Sequence, residues 1–208
     1  NTVAVRVFLK AGVDNVIQTA RALGVTSPLA RETSLALGSA EVTPLELTGV
    51  YASIAAGGRA VTPYAIKEIR SRNGQVLYQH PNVNLPNTVN ASAVETLVGM
   101  MQEVVRSGTG KRAALSDRAV AGKTGTSSDY RDAWFLGFTG NYTTGVWLGN
   151  DDNHPMRNIV GGSLPAQLWH DYMTEAESGL PERALLSGSS SCWSGAVPTG
   201  VSQSFDEF

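Results

Sequence analysis

The sequence predicts an α/β (α+β) fold: a mainly antiparallel sheet covered by helices. Three observations predict it. Amphipathic helical patterns fill the first half of the chain. From Val120 the pattern changes to short apolar, aromatic runs joined by a Gly-Asn turn. A helical pattern then returns after Gly161-Gly162. With 208 residues and 42% apolar side chains, one buried core is within reach.

The elements follow in order. Thr2 to Gly24 reads as two short helices. Val13, Val16, Ile17, Ala20 and Leu23 share one face, and Gly24 is a stop. Thr43-Pro44-Leu45-Glu46 is a capping box with proline at the first helical position, opening a helix that Gly57-Gly58 ends. Ala65 to Tyr78 reads as a hairpin about Asn73-Gly74, with Ile66, Ile69, Val76 and Leu77 strand-like. A second capping box at Ser92 to Glu95 opens a helix to about Arg106. Its apolar face is Val94, Leu97, Val98, Met101, Val104 and Val105. Ala133 to Phe138 and Thr143 to Leu148 form a second hairpin about Gly140-Asn141, with Trp134, Phe135, Phe138 and Trp147 expected in the core, the alternative being that one of them lines the cleft wall. Leu164 to Ala176 closes the domain as a helix with Leu168, Trp169 and Tyr172 inward. Domain 1–178 is followed by a Ser/Gly/Pro-rich segment, 179–208, read as a mobile tail.

Charge and composition exclude several classes. The net charge is −2 with Lys and Arg scattered, so no nucleic-acid partner is expected. Cys192 is the single cysteine, so no internal disulfide forms. His80, His154 and His170 lack metal-ligand spacing, and neither metal nor cofactor is expected.

The chemistry concentrates at Lys123-Thr124-Gly125-Thr126. On a strand beside a cleft, Lys123 supplies positive charge, and the hydroxyls of Thr124 and Thr126 can converge on a carboxylate. Gly125 lets a ligand backbone lie against the strand. The N–H of Thr126 can meet an oxygen that turns negative during acyl transfer, a donor worth about 3–4 kcal/mol in the transition state. A bare K-T-G is otherwise a Gly/Thr turn with a solvated lysine. In Asp129-Tyr130-Arg131-Asp132, Tyr130 is a candidate substrate contact, set against a charged loop that pairs internally. Asp132 is expected in an ion pair or a backbone cap. "SGTGKR" is half a phosphate loop, but Val105 stands where the first glycine belongs and Arg112 where Ser/Thr belongs, so that reading fails.

Several longer stretches carry a resemblance. "TPLELTGVYASIAAGGRAVTPYAIKEI", "VVRSGTGKRAA", "VAGKTGTSSDYRDAWFLGFTGNYTTGVWLGND" and "GGSLPAQLWHDYM", in that order, resemble the transpeptidase domain of class A penicillin-binding proteins. That resemblance implies a β-lactamase/transpeptidase-like fold, incomplete in this fragment. It implies cross-linking of peptidoglycan, in which a serine attacks the D-Ala-D-Ala end of a stem peptide and an amine of a neighbouring stem takes the acyl group. β-Lactams would mimic that end. Lys123 and Thr126 become catalytic candidates; Thr124, Gly125, Thr126 and Tyr130 become substrate-binding ones.

The family's S-x-x-K is not found, since no serine here has a lysine three residues later. The nucleophile is therefore expected upstream of Asn1, and the fragment alone is expected to be inactive. Asn1 resembles the last residue of the family's S-x-N motif, where its amide would bind the substrate's peptide and orient the lysine base; otherwise it is an arbitrary first residue. The literal S-x-N at Ser71-Arg72-Asn73 falls on the hairpin turn and is set aside. The resemblance further implies an upstream glycosyltransferase domain acting on lipid-linked glycan strands, and an anchor in the bacterial inner membrane with this domain on the periplasmic side. A D,D-carboxypeptidase, a β-lactamase-type hydrolase and a non-catalytic β-lactam-sensing module remain open.

Overall fold

A computed structural model describes residues 1–81 and 85–186. Helices α1 (Thr2–Ala11) and α2 (Val13–Leu23) come first, then α3 (Pro44–Ala55). Strands β1 (Glu68–Arg70) and β2 (Val76–Gln79) make a separate antiparallel ribbon. Helix α4 (Ala91–Arg106) leads to β3 (Ala121–Thr126), β4 (Asp132–Phe138) and β5 (Thr143–Gly149), and α5 (Leu164–Ala176) follows. The main sheet has the order β3-β4-β5, antiparallel throughout. Among the described residues, no helix is long and apolar enough to cross a membrane.

Strand alternation gives the sheet two apolar faces. On one face Ala121 and Phe138 pack with Val50 and Ile54 of α3 and with Val94, Val98 and Met101 of α4. Thr48 of α3 lies so close to β5 that a Cβ on Gly145 would sit 2.3 Å from its Oγ1. On the other face Phe135 packs with Trp169, Met173 and Ala166 of α5 and with Val105 at the end of α4. The Phe135 and Trp169 rings meet edge to face at 5.3 Å, and full burial of such side chains contributes about 1.5–3 kcal/mol each. The result is three layers, with helices on both faces of an antiparallel sheet.

Sequence and structure differ at several points. Asn90, not Ser92, caps α4: its Oδ1 accepts the N–H groups of Ser92 (2.9 Å) and Ala93 (3.3 Å). The box at Thr43 is half formed. Thr43 Oγ1 accepts the Glu46 N–H at 3.2 Å, but the Glu46 carboxylate turns to the loop after α2. There it accepts Thr26 Oγ1 (2.7 Å), Ser27 N–H (2.8 Å) and Ser27 Oγ (2.6 Å).

In α5, Trp169 is inward as expected, but Leu168 and Tyr172 are exposed and Met173 is buried. The Trp169 Nε1–H donates to the Thr144 carbonyl at 3.0 Å, which sets the rotation of the helix. Of the four aromatics expected in the core, Phe135 and Phe138 are buried. Trp134 is half-buried and Trp147 exposed, the two rings lying 6.2 Å apart. Ile66 is exposed and outside either strand.

Packing also continues past residue 178. Leu185 is buried in the α3–α4 cluster, and the Arg183 carbonyl lies against Gly140, where a Cβ would approach it to 2.2 Å. The remainder of the expected tail, 187–208, lies outside the described residues.

A buried charged network ties these pieces together. Glu177, 2% exposed, accepts from Arg118, from Thr139 Oγ1 and from Asn141 Nδ2. Asn141 also donates to the Pro181 carbonyl at 3.0 Å. The β4–β5 turn, the end of α5 and the segment beyond it are thereby joined.

Candidate active site

The four residues Lys123 to Thr126 occupy the last two-thirds of β3, an edge strand. Which way its backbone points follows from the register. Ser127 N–H donates to the Asp132 carbonyl, and Thr126 faces Ala133 across the ladder. In antiparallel sheets, hydrogen-bonded and non-hydrogen-bonded pairs alternate. Lys123 and Gly125 therefore bond β4, and the N–H and C=O groups of Thr124 and Thr126 point to the other edge, which no strand pairs with among the described residues. The far hairpin agrees, since Thr139 N–H donates to the Tyr142 carbonyl.

Side chains alternate between faces as well. Lys123 and Gly125 share one face, Thr124 and Thr126 the other. The lysine does not stay on its face. Its Nζ folds over the open edge to donate to the Thr124 carbonyl (2.9 Å) and to Thr124 Oγ1 (3.4 Å). Lys123 is exposed as a residue, yet desolvation lowers its ammonium pKa. The two agree if the stem is open to solvent while the head lies against the strand.

Both threonine hydroxyls are already engaged. Thr124 Oγ1 lies 2.7 Å from Thr109 Oγ1, in the "SGTGKR" turn. Thr126 Oγ1 accepts the Gly161 N–H at 3.0 Å. Sequence reasoning missed both partners. Thr109 and Gly161-Gly162 lie in stretches that carried the resemblance, but neither was given a part in the site. Gly125 faces Trp134, where a Cβ would come within 3.3 Å of the Trp134 Cβ.

Tyr130 lies just beyond the strand, exposed, with φ 57° next to Asp129 at φ 58°. Its carbonyl accepts Met156 N–H at 3.0 Å, and Arg131 bonds the Asn153 carbonyl. The Asp132 carboxylate, expected in an ion pair or a backbone cap, instead accepts two side-chain donors, Ser127 Oγ (3.0 Å) and Trp147 Nε1 (2.9 Å), while Ser127 Oγ accepts the Asp132 N–H (2.7 Å).

Asn1 caps α1 with no side-chain bond and is exposed. No hydrogen bond joins it to β3 among the described residues. Ser71 and Asn73 hydrogen-bond each other in the exposed β1–β2 turn, so the literal S-x-N there is part of a turn. Two surface cavities, of about 420 Å³ beside α4 and about 510 Å³ along the outer side of β5, do not touch Lys123. The candidate site is thus an open sheet edge carrying a cation, two hydroxyls and outward main-chain donors. Such an edge can take an extended peptide as an added strand and hold its terminal anion.

The fold is that of a known class. A family model described as the penicillin binding protein transpeptidase domain matches residues 12–174. The chain belongs to that family. Among its relatives is penicillin-binding protein 1A of Aquifex aeolicus (strain VF5), 40% identical over 177 residues, which cover 83% of this chain and 24% of that protein. Penicillin-binding protein 1A of Neisseria meningitidis (strain MC58) is 37% identical over 215 residues, covering 100% of this chain and 26% of that protein. The chain therefore spans about a quarter of the length of these relatives.

Solved structures agree. Penicillin-binding protein 1A from Haemophilus influenzae superposes with TM-score 0.79 at 26% identity, over 88% of this chain and 34% of that one. PonA1 from Mycobacterium tuberculosis, in complex with penicillin V, superposes with TM-score 0.77 at 22% identity, over 87% and 55%; that likeness bears on fold alone.

Proposed function

We propose that this chain supplies the carboxylate-binding half of a peptidoglycan D,D-transpeptidase. The observation that carries the reading is the open edge of β3. Lys123 Nζ lies folded on it, and the N–H groups of Thr124 and Thr126 face outward. A stem peptide ending in D-Ala-D-Ala would lie along this edge with its terminal carboxylate toward Lys123, Thr124 and Thr126. Gly125 keeps the strand low beneath it.

The nucleophile comes from an S-x-x-K segment upstream of Asn1 in the longer protein. The serine oxygen adds to the carbonyl of the penultimate D-Ala while the base takes the serine proton. The Thr126 N–H stabilises the oxyanion. The C–N bond to the terminal D-Ala then breaks, its nitrogen takes the proton, and a serine ester remains. An amine of a neighbouring stem attacks that ester, forms the cross-link and frees the serine. A β-lactam enters the same first step but has no separate leaving group to depart. Asn1 would contact the substrate amide, and Tyr130 the substrate beyond the strand.

In the full-length protein this domain follows a glycosyltransferase that extends lipid-linked glycan strands, and it faces the periplasm from the inner membrane. The test is a fluorescent penicillin applied to the full-length protein and to the isolated chain. A covalent band is expected on the first and none on the second, with cross-linked product dependent on an acceptor amine. An adduct on a serine of residues 1–208 would overturn the assignment of the nucleophile. No adduct on the full-length protein would overturn the function.

A further inference from the structure

Two loops outside β3 reach its threonine hydroxyls: the Gly161 N–H can only donate to Thr126, and the Thr109 hydroxyl can donate to Thr124. A threonine hydroxyl has one donor hydrogen and two acceptor lone pairs. The Gly161 N–H occupies one lone pair of Thr126 Oγ1 at 3.0 Å. The hydroxyl hydrogen of Thr126 cannot point at that N–H and must be donated elsewhere. At Thr124, the Lys123 ammonium can only donate, so Oγ1 accepts from it at 3.4 Å. Thr109 Oγ1, 2.7 Å away, can fill the second lone pair. The Thr124 hydrogen is then also free for an anion.

The loops are held there by close approach. A Cβ on Gly161 would lie 2.3 Å from the Trp134 carbonyl oxygen and 2.5 Å from that of Gly125. One on Gly162 would lie 2.2 Å from the Thr109 carbonyl oxygen. Only glycine lets the 161–162 segment fit between β3 and the Thr109 turn.

We propose that Thr109 and the main-chain N–H of Gly161 are positioning groups of this site: they orient the Thr124 and Thr126 hydroxyls as donors to a bound carboxylate. This rests on the functional reading above. Neither group touches the ligand; each acts through a threonine. Its signature is therefore selectivity for the carboxylate, which a merely structural role would not produce.

The experiment uses the full-length protein and compares acylation by a penicillin with acylation by its methyl ester. Thr109→Val is expected to slow the carboxylate ligand about tenfold, the size of one hydrogen bond to a charged group. The ester is expected to change by less than about twofold on the same scale. Thr109→Ser, which keeps the hydroxyl, should restore the rate.

At Gly161, glycolic acid in place of glycine removes the N–H without adding a Cβ. It should show the same selectivity, and show none in a Thr126→Val background. Equal slowing of both ligands, or wild-type rates with both, would overturn the proposal while leaving the functional reading intact. Absence of any adduct on the wild-type protein overturns both.

Discussion

The carbonyl oxygen of Thr124 accepts the ammonium of Lys123 at 2.9 Å. Neighbouring residues of one strand thus meet across its edge, and the positive charge is brought to where the strand's outward donors lie. Desolvation in that position lowers the lysine pKa.

The charge at this edge should matter to ligand capture. Lys123→Ala in the full-length protein is expected to slow penicillin acylation at least about a hundredfold, as for loss of a preorganised electrostatic group. The pH dependence follows from the sign of the shift. The protonated form binds a carboxylate, so binding is complete below the folded pKa and is lost as pH rises through it. With the pKa lowered, that loss sets in at lower pH than for a free lysine. Lys123→Arg should remove this alkaline limb, seen as a flat KM for a carboxylate ligand.

Removal of the buried acid should be costly. Glu177→Ala leaves Arg118, 6% exposed at its side chain, without its buried partner. Arg118 keeps Asp117 at 2.7 Å, but Thr139 and Asn141 lose the buried carboxylate that accepts from them. Thermal unfolding should show a large fall in Tm for Glu177→Ala and a smaller one for Glu177→Gln, which keeps hydrogen-bonding capacity.

Acid sensitivity should trace to Glu46. Hydrogen bonds from Ser27 and then Thr26 hold its carboxyl down to about 2, against an ordinary 4.5. Its contribution to stability is fully present above 4.5 and is lost as pH falls toward 2. Glu46→Gln should flatten that part of the stability–pH curve, measured by denaturant unfolding between those values.

Packing of the segment after α5 can be tested at Gly140. A Cβ there would meet the Arg183 carbonyl oxygen at 2.2 Å. Gly140→Ala should cost about 1–3 kcal/mol, as overpacking does, and should open residues 180–186 to limited proteolysis. Unchanged protection would show that the segment does not need this contact.

Much of this was legible because pattern and physics coincide. α5 was read to its end residues, and β4 and β5 announced themselves as apolar, aromatic runs about Gly140-Asn141. The K-T-G-T stretch has no apolar pattern of its own, and it is the family resemblance that sets it on a strand. What the pattern hid depended on long-range partners. Asn90 and Ser92 are both capping types two residues apart, and only the geometry of the incoming chain decides between them. Glu46 had the right spacing for its box, but Thr26 and Ser27 offer it more donors than Thr43 could. Leu185 was submerged in the average of a Ser/Gly-rich segment. Thr109 and Gly161 lie 15 and 35 residues from the hydroxyls they meet, beyond the reach of any local motif.

Main-chain groups are the one part of a protein that a codon change does not delete. At positions 124 and 126 the outward N–H and C=O persist under every side chain except proline, which removes the N–H. The hydrogen-bonding rail along β3 is thus indifferent to most drift in its own sequence, while the cation and hydroxyls mounted beside it can be lost one at a time.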